Sequence, residues 1–200
     1  MDTLEISLEE AKQLVIIGEK SSMEAFEAVK AQISNDKQSF EDIVLLAKNT
    51  KGLEMAKTII DYLKKSTFDF YPFQTTLRRQ LCNITFARKD AAALYALEAF
   101  EDLSKNEYKL EDQNYLRTII HDTSDSSIAQ AAFKLLKAIY TEKKDKFVTL
   151  EIFWDIHKRC RFKHTSFLAF KMCVDEKLFD SWTERDYLGA FDGFHDNKKN

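Results

Sequence analysis

His157-x-x-Cys160-x-x-x-His164 is the one stretch that gathers side chains able to ligate a metal. Imidazole nitrogen and thiolate sulfur suit zinc, and residues three apart share a helical face. Zinc sites take three or four such ligands, oriented by surrounding hydrogen bonds. The third ligand here lies across a turn and no fourth is near, so the expectation is surface histidines, a packed thiol, and no metal or cofactor. The same run carries Lys158, Arg159, Arg161 and Lys163 around Phe162. Positive charge interleaved with an aromatic can hold phosphates and stack a base. The plainer alternative is an inter-helix turn whose cations suit a helix C-terminus.

Opposed to that cluster is an acidic middle. From Asp90 to Asp125 there are nine carboxylates against Lys105, Lys109 and Arg117. Glu98, Glu101, Asp102, Glu111, Asp112, Asp122 and Asp125 are the candidate partner-binding acids, because concentrated negative charge steers a basic partner and fixes its orientation. Phe70, Tyr71 and Trp154 are the candidate apolar anchors, since aromatics dominate binding hot spots. Phe70 and Tyr71 belong to Phe68-Asp69-Phe70-Tyr71-Pro72-Phe73, whose rings could instead fill a gap between helix pairs. There is no Gly-rich phosphate loop, no Gly-x-Ser-x-Gly elbow and no His-Glu-x-x-His pair, which makes an enzyme the minority reading.

Composition sets the frame for these residues. With 200 residues, 44% hydrophobic content, one proline and four glycines, the chain favours helices and can build a continuous core. It has no long apolar run, so neither a membrane span nor a signal peptide is expected. Three cysteines without a Cys-x-x-Cys pair suit a reducing, cytoplasmic setting. A net charge of −3 argues against a dedicated nucleic-acid coat.

The elements that position the candidates recur. Ile128, Ala132, Leu135, Leu136 and Ile139 fall on one helical face, and Ala25, Ala56, Ala96 and Ala169 align with Ala132 at spacings of about 31 to 40 residues. A small residue at each crossing lets helices approach to roughly 8–10 Å. The first helix runs from Leu8 to Lys20, and Ser21-x-x-Glu24 and Ser39-x-x-Asp42 are expected to open the next ones. Pro72 is expected in the first turn of the helix that carries Leu77, Leu81 and Ile84. Further helices follow over Asp90–Leu103, around Leu116, Ile119 and Ile120, from Ile128, over Val148–Ile156 and over Thr165–Leu178. Ser181-x-x-Glu184 starts a short closing helix.

At Leu116-x-x-Ile119-Ile120-x-Asp122 followed by Ile128-x-x-x-Ala132-x-x-x-Leu136 the chain resembles a HEAT repeat of the HEAT and armadillo class, loosely over residues 8 to 180. The resemblance implies helix pairs stacked in a curved array that mostly bind proteins and, in a few members, nucleic acid. The family's first-helix proline is absent, and its arginine after the Ile128 position is replaced by Ala129, with Leu53, Ala93 and Ser166 in other units. Tetratricopeptide repeats share the period, but their glycine and proline positions are not met. HEAT-like DNA glycosylases use tryptophan and aspartate on a cationic face, and Trp154, Asp155 and Trp182 supply those residue types. In size, acidity and lack of catalytic motifs the chain is also similar to bacterial immunity proteins, which cover the active surface of a toxin.

The resulting expectation is an all-α, right-handed α-solenoid of about five antiparallel helix pairs, HEAT-like, as a single domain over 1–194 with a polar tail at 195–200. Its expected role is non-enzymatic binding of a basic protein, most concretely as an inhibitor or immunity protein that masks a toxin. The runner-up is nucleic-acid binding, glycosylase-like, through Lys158, Arg159, Arg161 and Lys163.

Overall fold

The computed structural model describes residues 6–19, 21–104, 108–142 and 146–176. Trp182, the Ser181–Glu184 start, Lys105, Glu107, Leu178 and the tail 195–200 lie outside them. Among the described residues there are ten helices and no strand. They are α1 (Leu8–Ile17), α2 (Ser22–Gln32), α3 (Lys37–Asn49), α4 (Leu53–Lys65), α5 (Phe73–Ala87), α6 (Ala91–Ser104), α7 (Leu110–Asp122), α8 (Ser126–Glu142), α9 (Lys146–Arg159) and α10 (Lys163–Asp175). The chain divides into two compact units, Met1–Ile119 and Ile120–Asn200, with the division inside the last turn of α7. None of the described helices is long and apolar enough to cross a membrane.

In the first unit α1 packs on α2, α3 on α4 and α5 on α6, and α4 also meets α6. In the second, α9 packs on α10 and α10 on α8. All five aligned alanines are buried: Ala25 at 2% exposure, and Ala56, Ala96, Ala132 and Ala169 at 0%. The recurrence read from the sequence is therefore a recurrence of buried small residues. Leu135, Leu136 and Ile139 are buried with Ala132, as the helical period requires.

Several helix starts differ from the sequence expectation. Ser21 makes no capping bond, and Ser22 Oγ instead donates to the Leu14 carbonyl at 2.8 Å. The capping box forms earlier, where Ser7 Oγ accepts from the Glu10 amide and Glu10 accepts from the Ser7 amide. Similarly, α3 is opened by Asp36, whose carboxylate accepts from the Ser39 amide at 2.8 Å, so Ser39 lies inside the first turn. Pro72 precedes the first residue of α5 rather than lying in its first turn. Only at α3 does an upstream side chain take over, where the Asp36 carboxylate, three residues ahead of Ser39, accepts the free amide.

The turns between paired helices are fastened to the preceding pair. Gly18 ends α1 with φ 77°, and a Cβ there would lie 2.2 Å from the Gly52 backbone nitrogen. Only glycine permits this approach. It brings the Lys51 amide within 2.9 Å of the Ile16 carbonyl and the Thr50 hydroxyl within 2.7 Å of the Val15 carbonyl, which satisfies the free end of α1. One turn later, Arg88 Nη1 donates to the Ala47 and Thr50 carbonyls at 2.9 and 2.8 Å. Asp90 holds the other edge of the guanidinium through both carboxylate oxygens.

Candidate functional site

Two adjacent second helices build the acidic site. Tyr95 on α6 donates its hydroxyl to Asp61 of α4 at 2.7 Å. That bond comes first among the causes that raise the Tyr95 pKa, followed by burial and by the negative charges of Asp61, Glu98 and Asp102. The charges of three carboxylates from α4 and α6 thus act on one phenol. Lys64 bridges Asp102 at 2.9 Å and offsets part of the charge, while Glu98 is exposed. Asp61 and Tyr95 were not among the residues singled out in the sequence. The available signal was register, because Asp61 follows Ala56 at the same interval as Glu101 follows Ala96.

The other candidate acids have different surroundings. Glu111 is exposed in the first turn of α7. Asp112, beside it, is 2% exposed; Arg78 holds its carboxylate at 3.2 Å and it accepts from the Lys109 amide at 2.8 Å. Its charge is used inside the protein and is not offered to a partner. Asp125 caps α8 by accepting from the Ser127 amide at 2.7 Å. Asp122 is exposed at the end of α7. The acidic run is consequently divided among a surface cluster, a buried ion pair and a helix cap.

The aromatic anchors divide in the same way. Phe70 is half-buried, with its ring 5.3 Å from Phe40 and 5.5 Å from Phe73, inside a cluster that also contains Phe68. The aromatic connection therefore fills a packing gap, and the Asp69 amide ties it to the Asn35 carbonyl at 2.7 Å. Tyr71 is the exception at 97% exposure. It borders a recess of about 280 Å³ that Lys37 and Arg79 also line, so its neighbours are cationic. Trp154 is half-buried on α9 under the Lys158 ammonium, 4.7 Å from the ring centre.

The cluster at 157–164 is largely committed to structure. His157 is not at the surface: it is 2% exposed, with Nδ1 3.3 Å from both the carbonyl and the hydroxyl of Ser166. Cys160 is fully buried, and its thiol donates to the Ile120 carbonyl at 3.8 Å. Among the described residues no three His, Cys, Asp or Glu side chains are arranged to hold a metal. Asp155 lies 3.1 Å from His121 Nε2 and accepts from Arg159 at 2.9 Å. Arg161 donates to the Asp122 carbonyl at 3.2 Å, closing the end of α7. Lys163 and His164 are exposed at the start of α10.

Compared with protein-family models, curated proteins and solved structures, the chain finds no significant match. The class that the coordinates define is accordingly the architectural one, an all-helical protein whose helices pack in adjacent pairs.

Proposed function

We propose that the chain is a non-enzymatic protein-binding module of the HEAT-like kind, a right-handed solenoid of about five helix pairs whose second helices meet a basic partner. Its most concrete form is an inhibitor or immunity protein that covers a basic surface, such as that of a toxin. The observation that carries this reading is the Tyr95–Asp61 bond between α6 and α4, with Glu98 one turn along α6 from Tyr95 and Asp102 bridged to Lys64 of α4. Such a cluster accelerates encounter with a cationic surface and sets its orientation, while the phenol offers a rigid amphipathic contact. The candidate nucleic-acid grip is weakened because Arg159, Arg161 and Lys158 already have partners in Asp155, the end of α7 and Trp154.

The test is to capture the partner on immobilised protein from native extract, identify it, and follow association by stopped flow at low and high salt. The E98Q/E101Q/D102N variant should retain its melting temperature and associate about tenfold more slowly at low salt. Unchanged association would remove this face from the mechanism.

A further inference from the structure

Independently of the acidic face, we infer that the groove between α8 and α10 is a docking site for an acidic amphipathic segment of another protein. The groove has a volume of about 400 Å³. Lys134 and Lys137, one turn apart on α8, line one wall, and His164 and Lys171 of α10 line the other. Phe133, Leu168 and Met172 supply apolar lining, and Asp175 is the only carboxylate in it.

Charge and register define the occupant. None of the Lys134, Lys137 and Lys171 side chains has a hydrogen bond or ion pair among the described residues, and all three are exposed. Lys134 and Lys171 each stand two residues beyond an aligned alanine, where α6 carries Glu98. The same position of the repeat is thus acidic on α6 and basic on α8 and α10. Lysines on both walls above an apolar lining match a chain that carries carboxylates along its edges and apolar side chains on one face. A nucleic-acid strand fits less well, because the only ring in the apolar lining, Phe133, is 4% exposed and cannot serve as a stacking platform. A simple anion would leave the half-buried Leu168 uncovered.

The probe is a fluorescein-labelled helical peptide of about four turns, with leucines along one face and glutamates elsewhere, followed by anisotropy at about 50 and about 300 mM salt. The glutamate peptide should bind, weaken with salt, and lose at least about tenfold affinity to K134E/K137E/K171E. A glutamine version should bind much more weakly. Because the lysines are exposed, these variants should melt like the parent; if charge reversal unfolds the protein, K134Q/K137Q/K171Q makes the same test. Peptide binding should be unchanged in E98Q/E101Q/D102N, which separates this groove from the acidic face. Equal binding of both peptides, or no effect of the lysine variants, would overturn the inference. Tighter binding of oligothymidylate of matched charge would make the groove a phosphate-backbone site. Salt-sensitive self-association in sedimentation, abolished by the lysine variants, would make its occupant a second copy of this chain, and either result also overturns the inference.

Discussion

Arg88 and Arg161 each stand eight residues ahead of an aligned alanine, Ala96 and Ala169, and each donates to carbonyls at the end of an earlier helix, α3 and α7. A guanidinium placed there neutralises the partial negative charge of the helix end and satisfies carbonyls that lack intrahelical partners. The two differ in burial. The Arg88 side chain is 4% exposed and also held by Asp90, whereas Arg161 is exposed.

That difference sets the first prediction. Arg88→Ala strands two carbonyls and removes the partner of Asp90, at a cost of about 2–4 kcal/mol in a denaturant titration. Arg161→Ala should move the midpoint far less, because water can replace the guanidinium. Equal losses at the two positions would mean that burial does not control the strength of the repeated cap.

Asp112 and Glu111 are neighbours with opposite roles. Asp112→Ala leaves the Arg78 guanidinium buried without its carboxylate partner and should cost about 3–5 kcal/mol. Glu111→Ala should leave the unfolding midpoint unchanged. A tolerant Asp112 would show that the ion pair with Arg78 contributes little.

Leu136 is fully buried one turn along α8 from the equally buried Ala132. Leu136→Ala removes three carbons from a packed helix face, and the cavity should lower stability by roughly 2–5 kcal/mol. A loss below about 0.5 kcal/mol in urea unfolding would place the side chain outside the packed core.

Acid should weaken the fold through three carboxylates. The Ser7 hydroxyl and amide hold Glu10 below its ordinary value of 4.5, the Ser39 amide lowers Asp36 from 3.8, and the Arg88 guanidinium lowers Asp90 from 3.8. A group depressed in the folded state stabilises fully above its unfolded value, and that contribution disappears as the pH falls through the folded one. The melting temperature should therefore hold as these groups stay ionised down to about pH 4.5 and decline below it. Asp36→Asn retains a capping oxygen but cannot titrate, so its decline should be shallower. An acid limb identical to the parent's would assign the loss to other groups.

The helical class, the pairing of helices and the burial of the five alanines were legible in the sequence. Their cause is local: a 3.6-residue period places Ile128, Ala132 and Leu136 on one side whatever the rest of the chain does, and a small residue recurs on the buried side of five helices. The starts of α2 and α3 were less legible, because Ser22 donates its hydroxyl back to the Leu14 carbonyl and Asp36 takes the Ser39 amide, bonds that neighbouring turns decide.

The division of charges belonged to the tertiary structure. Sequence shows Asp102, Glu111, Asp112 and Asp125 as one acidic run, yet packing sends Asp112 inward to Arg78, makes Asp125 a helix cap and leaves Asp102 beside Glu98 and Asp61 near Tyr95. His157, expected at the surface, is likewise a buried partner of Ser166. Charge is a property of a residue type, but whether it is spent on a neighbour or left for a partner depends on distances between helices far apart in the chain. Those distances arise only when the helices pack.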